Sequence, residues 1–497
     1  MFMTKKILFW YSGDFTQYLV STQIKNFLED SKLYAIIDVP DKLRDFYINQ
    51  SFAKLENFWF LHDNIQSTNL PNLEFLKYIE EKYQIHLWNL IVNERIFYRF
   101  YDIYKFSYNE ILSIVESEIR FFEKILDEIK PDVIIIKDPG FHHLELFYQI
   151  CKKRDIQILT LTTPNFGYRI MISSVAQAFE NVDLKKIDGK FKNLENLIQF
   201  KKKFNINTQT LEGNADWNIQ PSKIFTAFLK YLFSKNSSHK THYTYYGRTK
   251  KKVILQMLKA YVQRFWRGQF IKKNLLYKLP NEIKFIYFPL GLELERNFLI
   301  NASLYNNQIE LLRVVSKSIP IDYRIIVKEH PDQISREWRK IDDYKSILTL
   351  PNVIFLHPSV STDDILEKSS LIISVGGTTS FEASFFKKPS IIFSKTGFSL
   401  LSWIKIVSDF SQLKNEITSS LNAEVNIDEL DRYITFLNEN TFEFDHYLLQ
   451  TKLKNHFYYG GNIHDVKIDL DKMKYFIENN LTDILLLTKE YVNKIKF

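Results

Sequence analysis

The chain has 497 residues, 66 Lys and Arg against 58 Asp and Glu for a net charge of +8, and a hydrophobic fraction of 45%. That length exceeds one ordinary core and predicts two or three domains of common size in a soluble globular protein. A single cysteine, Cys151, excludes an intrachain disulfide, and no stretch approaches the roughly 20 apolar residues that a membrane-spanning helix needs.

The amino terminus, MFMTKKILFWYSGD, has a charged start and a short apolar run. Gly13 and Asp14 stop that run too early for a signal peptide, and no small-residue cleavage site follows, so Ile7 to Tyr11 read as a first strand. With the lone thiol in the helical-looking LELFYQICKKR, the expectation is a cytoplasmic, reducing setting. Further apolar β-rich runs follow: YAIIDVP, FWFLHD, VIIIKDPG and IQILTLTTP. Between them YNEILSIVESEIRFFEKILDEIK shows helical periodicity until Pro131. Continuous apolar strands separated by helices predict a parallel sheet covered on both faces.

From Trp217 to Asn281 there is no Asp or Glu, while fourteen Lys and Arg accumulate, more than the whole net charge. The basicity is therefore local. Within it, Ile254, Met257, Leu258, Tyr261, Phe265 and Trp266 share one helical face, with Lys259, Arg264 and Arg267 towards its edges or opposite side. That is the pattern of an interfacial helix drawn to anionic lipid, and equally of a helix packed on its own domain. No recognised nucleic-acid module surrounds these lysines, and no nucleic-acid partner is expected.

Alternation restarts after Pro280 with KFIYFPL, YRIIVKEHP, VIFLHPS, LIISVGG and SIIFS, separated by helical segments such as NNQIELLRVVSKSI and STDDILEKS. The predicted fold class is α/β, with two doubly wound Rossmann-like domains, a basic helical insertion and a helical tail. Boundaries are set at 1–216, 217–281, 282–406 and 407–497.

Ligands of open parallel sheets bind beyond the carboxyl ends of the strands. The strand in IIVKEHPDQ ends there on Lys328, Glu329 and His330, with Pro331 fixing the turn. In LIISVGGTTSFEAS, Gly376 and Gly377 would admit an anion to the backbone, Thr378, Thr379 and Ser380 supply hydroxyls, and Glu382 would complete a capping box. Lys328, His330, Pro331 and residues Gly376, Gly377, Thr378, Thr379, Ser380 and Glu382 are the candidate nucleotide-binding set.

Together with YFPLGLELERNF and NVIFLHPS, these stretches resemble the carboxyl-terminal half of the capsule polysaccharide biosynthesis proteins, GT-B-type glycosyltransferases similar to Kdo transferases. The resemblance covers about Phe285 to Phe393, and LTTPNFGYRIMISS is loosely similar to the amino-terminal half. It implies that His330, Pro331, Thr378 and Thr379 bind the phosphate and ribose of a CMP-sugar. LELER stands where the family often has Pro-Glu, which leaves Glu293 and Glu295 without a clear role, and PNFGYR replaces a Glu-containing signature. Donor or acceptor sugar would differ accordingly.

An inverting transfer needs a base for the acceptor hydroxyl. Asp14 follows the first strand, and KDPGFHH places Asp138, His142 and His143 after another in a loop expected to leave them exposed. Asp138, His142 and Asp14 are the catalytic candidates. Asp469 and Asp471 precede a tail helix and read as its amino-terminal charge rather than a metal pair; no metal and no cofactor are expected. The expected partners are a nucleotide-sugar donor, a glycan or lipid-linked glycan acceptor, and an anionic membrane surface on the inner face of the plasma membrane. A teichoic-acid-type polyol-phosphate transferase and a non-catalytic GT-B-like scaffold are the alternatives.

Overall fold

The computed structural model describes residues 4–67, 70–99, 103–164, 166–174, 179, 182–204, 221–234, 243–292, 296–331, 333, 339–461 and 463–496. Glu293, Glu295, Asn165 and part of the basic segment lie outside these residues.

The strands are β1 (Lys6–Ser12), β2 (Lys32–Asp38), β3 (Leu55–Phe60), β4 (Val133–Lys137), β5 (Gln157–Thr162), β6 (Arg169–Ser173), β7 (Phe285–Pro289), β8 (Arg324–Lys328), β9 (Val353–Leu356), β10 (Leu371–Ser374), β11 (Ser390–Ile392), β12 (Ile404–Ile406) and β13 (Phe442–Glu443). They form two sheets, ordered β13-β6-β5-β4-β1-β2-β3 and β12-β11-β10-β7-β8-β9. The second is parallel throughout, and the first is parallel from β5 to β3, with β6 and β13 added antiparallel. Strands such as β4 and β10 are buried on both faces, which is why they read as uninterrupted apolar runs. The two doubly wound domains are as expected. β6, β12 and β13, too short or too mixed to announce themselves, complete them.

In each sheet the chain winds outward from a central first strand in both directions, so that β1 beside β4 and β7 beside β10 are the points where strand order reverses. A crevice opens there beyond the carboxyl ends. The helix Tyr108–Ile129 covers the first sheet; Ser107 and Glu110 form its capping box, and Lys130 closes it in the left-handed conformation before Pro131.

The cores divide differently from the expected boundaries. Phe166, Leu184, Leu197 and Phe204, assigned by sequence to the first domain, share a core with Phe381, Phe398, Trp403 and Leu430. Within the tail, the helix Leu413–Leu421 adds Leu413 and Ile417 to the core of the second sheet. The helices His446–Phe457, Leu470–Asn479 and Leu481–Lys494 instead cover the first sheet, where Leu449, Met473 and Tyr491 join Phe9 and Phe15. Asp469 caps the second of these helices, accepting the Asp471 N–H at 2.9 Å.

The basic insertion contains the helices Pro221–Phe233 and Lys250–Asn274. Between them Tyr243 is buried in the first domain, and at the far end Ile271 and Leu275 enter the core of the second. The longer helix therefore bridges the two domains. Its apolar face remains exposed: Met257, Leu258, Phe265 and Trp266 are more than half accessible, and Tyr261 is 74% so. Among the described residues, no helix is long and apolar enough to cross a membrane.

Candidate functional site

The turns after β8 and β10 lie on the same edge of the second sheet, on either side of β7. They stand about 10 Å apart, two strand spacings. After β10, Gly376 adopts φ +157°, and a Cβ there would meet Ser394 Oγ at 2.1 Å, so only glycine fits. Gly377 donates its N–H to Ser374 Oγ at 3.1 Å. Thr378 is exposed and Thr379 half-buried, and neither hydroxyl has a partner among the described residues. These hydroxyls, at the opening of the helical turn Thr379–Glu382, can take an anion.

Several side chains of the expected set are turned elsewhere. Thr378 is itself helical (φ −59°, ψ −24°) and makes no side-chain cap, so the expected capping box with Glu382 is absent. Ser380 is fully buried, its Oγ 2.8 Å from Ser374 Oγ, and braces the turn from behind. Lys328 also points inward. Its Nζ donates to Val360 O at 2.7 Å and to Thr362 Oγ1 at 2.6 Å, and burial lowers its pKa. Glu329 is buried as well, against Arg339 Nε at 2.7 Å with neither side chain exposed. Glu329 Oε1 in turn accepts the His330 N–H at 3.1 Å. The polar ending of the strand is thus a buried anchor for one half-buried histidine, and Pro331 lies on the surface beside it.

The first sheet supplies the opposing edge. Asp14 follows β1 and Asp138 follows β4, which pair in parallel, so both carboxylates flank the crevice. Asp14 accepts the Thr16 N–H at 3.1 Å and lies 4.0 Å from Lys137 Nζ; its side chain is 31% exposed. Asp138 lies 3.5 Å from Arg296 Nε, a residue on the segment after β7 in the second domain. Asn93 and Asn306 make a second link between the domains at 2.6 Å. Arg296, between the glutamates of LELER and the helical turn after it, is not among the residues that the sequence singles out. It is largely buried, with Nε and Nη1 lacking a hydrogen-bond partner. It also faces Glu145, whose carboxyl is raised by burial, an effect Gln149 and Arg296 only partly oppose.

His142 and His143 are not exposed loop residues; both are 3% accessible. They begin the helix His142–Lys153, whose first turn packs beneath the loop. His142 Nδ1 is 2.8 Å from Glu94 Oε2, and Nε2 is 3.0 Å from Glu118 Oε2. Burial works against its charged form, but Glu118 and Glu94 outweigh it and raise the pKa to about 10. His143 Nε2 is 3.1 Å from Asp38 Oδ2, and His62 Nε2 is 3.0 Å from Asp38 Oδ1. Burial alone would raise the Asp38 carboxyl; the two histidines hold it well below its usual range. His142 therefore does not face the crevice as a base would.

Two Rossmann-like domains with apposed crevices, and terminal helices that return to the first, define a GT-B-type architecture. Residues 202–421 match the family model described as capsule polysaccharide biosynthesis protein. Among solved structures, the UDP-GlcNAc 2-epimerase of Methanocaldococcus jannaschii aligns at 12% identity and TM-score 0.25, over 88% of this chain and all of that one. A glycosyltransferase from Rickettsia africae aligns at 10% identity and TM-score 0.24, over 96% and 99%. No curated protein matches the sequence of this chain.

Proposed function

We propose that the protein is a glycosyltransferase that moves a sugar from a nucleotide-activated donor, with CMP-activated sugars first among the candidates, to a surface or capsular polysaccharide or its lipid-linked precursor. The observation that carries the reading is the Asp138–Arg296 pair. It joins the two strand-end crevices and places a buried guanidinium with unsatisfied donors between them. The family match over residues 202–421 supports the same assignment.

In this reading Thr378, Thr379 and His330 hold the donor phosphate, and Arg296 meets the charge that grows on it as the glycosidic bond breaks. These groups serve the leaving nucleotide in place of a divalent ion. Asp138 takes the proton of the acceptor hydroxyl, with Asp14 as the neighbouring carboxylate on the same edge.

His330→Ala is expected to lower kcat about 10²-fold with a smaller change in donor binding, and Thr378→Ala to cost less because Thr379 and the backbone N–H groups remain. Transfer and donor hydrolysis across CMP-sugars, UDP-sugars and CDP-polyols provide the measurement. Parental transfer by a folded His330→Ala protein would remove the histidine from the site. Activity with CDP-polyols alone would make the enzyme a polyol-phosphate transferase, and inactivity with every donor would favour a scaffold.

The same reading places the protein on the cytoplasmic face of the membrane, where its acceptor would be lipid-linked. On the helix Lys250–Asn274, Leu258, Tyr261, Val262, Phe265 and Trp266 form one exposed apolar arc, with Lys259 and Arg264 at its margins and no carboxylate in the segment. Burying that arc at a bilayer surface adds hydrophobic to electrostatic attraction. Flotation with phosphatidylglycerol-containing vesicles should recover most of the protein, and F265S/W266S far less. Equal recovery with neutral vesicles, or by the double variant, would end the membrane role.

A further inference from the structure

We propose that Glu118, His142 and His143 bind a divalent transition-metal ion in the first domain, with zinc as the representative ion. Each offers a ligand atom, and these atoms lie within 4.8 Å of one another. The three come from two elements, Glu118 from the middle of the helix Tyr108–Ile129 and the two histidines from the first turn of the helix His142–Lys153, so the tertiary fold brings the carboxylate to the imidazoles.

Three observations point to an ion. First, Glu118 is fully buried, its Oε2 lies 3.0 Å from His142 Nε2, and neither carboxylate oxygen makes a hydrogen bond of ordinary geometry among the described residues. A carboxylate in a low-dielectric interior needs a positive partner, either the protonated His142 or an ion that both side chains hold. Second, Glu118 Oε2 and His142 Nε2 approach to 3.0 Å without the alignment of a hydrogen bond. Two ligands of one ion, each aimed at a common centre about 2.0–2.2 Å away, stand at about that separation. Third, both histidines are held from behind by carboxylates, Glu94 on His142 Nδ1 at 2.8 Å and Asp38 on His143 Nε2 at 3.1 Å. Such an outer shell orients metal-bound imidazoles and raises their basicity.

The aromatic neighbours fix the geometry further. His143 is stacked between Trp10 and Phe141, with ring centroids 5.8 and 5.7 Å away. Its Nδ1, the nitrogen not held by Asp38, faces the Tyr243 hydroxyl at 3.5 Å. Two imidazole nitrogens and one carboxylate suit zinc or a neighbouring divalent ion rather than calcium or magnesium, which prefer oxygen-only sets. The ion would lie beneath the loop that carries Asp138, clamping that loop to the helix Tyr108–Ile129. Its role is structural, apart from the donor phosphate, and it does not depend on the proposed sugar transfer.

The test uses the full-length protein, tag removed, produced with added zinc and dialysed against a weak chelator. Elemental analysis should find close to stoichiometric zinc, and a strong chelator should lower Tm. The isosteric Glu118→Gln should hold at least about tenfold less metal with unchanged far-UV circular dichroism. Replacement of zinc by cobalt should give visible d–d absorption in the parent protein, a readout that survives even if Glu118→Gln fails to fold. Absence of retained metal together with no thermal shift on adding zinc, manganese or cobalt would overturn the proposal, leaving a proton on His142 as the occupant of the cluster. Stoichiometric zinc in a folded Glu118→Gln would overturn the ligand assignment.

Discussion

Arg296→Ala is expected to lower sugar transfer about 10³-fold at saturating donor, the largest loss from any single side chain outside the donor turn. A guanidinium beside a leaving phosphate gives charge-assisted, forked hydrogen bonds, roughly twice as strong as neutral ones, and it does so in a cleft where little water competes. Arg296 lies at that cleft with Nε 3.5 Å from Asp138 and with Nε and Nη1 both buried and lacking a hydrogen-bond partner, so a phosphate that took Asp138's place would satisfy them. Arg296→Lys keeps the charge without the fork and should recover only part of the rate. Single-turnover assays separate chemistry from donor binding. A folded Arg296→Ala protein with less than threefold loss of turnover would show that the interdomain pair with Asp138 is only a brace.

The second large effect concerns stability. Glu329→Ala would leave Arg339 as a buried charge without its carboxylate, in a site where neither side chain is exposed. Breaking such a pair from one side costs about 3–5 kcal/mol. For a unit of 150–250 residues this is roughly 6–20 °C in Tm. The loss should be accompanied by weakened donor binding, because Glu329 Oε1 also holds the His330 N–H. Replacing both residues by apolar ones of similar volume should restore much of the stability but not the binding. Differential scanning calorimetry with donor titration measures both. An unchanged Tm in Glu329→Ala would show that water reaches Arg339 and that the pair is not a buried anchor.

Much of the fold was legible because fully covered parallel strands need apolar residues on both faces, and such runs stand out in sequence. The placement of His330 and Thr378 on one edge followed from the same strand ends. Side-chain direction was not legible there. Lys328 and Glu329 look as available as His330 when written in a row, yet one turns to Val360 and Thr362 and the other to Arg339, ten positions on. Arg296 is obscured in sequence by its acidic neighbours in LELER, seven residues beyond the end of β7. His142 looked exposed because Gly140 and Pro139 mark a loop; its partners Glu94 and Glu118 are distant in sequence, and only the tertiary fold unites them. β6 and β13 escaped notice because they pair antiparallel at the end of a sheet read as parallel.

The return of the terminal helices to the first sheet has a consequence for biosynthesis. Tyr491 and Met473 lie in one core with Phe9, Tyr18 and Leu159. When β5 leaves the ribosome, about 330 residues are still to be made before the helices that complete that core are finished, some 15–65 s at common elongation rates. The first-made domain thus waits, with one apolar face uncovered, while the second is synthesised and can close. Chaperone demand during translation should fall on the amino-terminal half, and a nascent chain whose first 440 residues have emerged should hold a finished second domain beside an unfinished first.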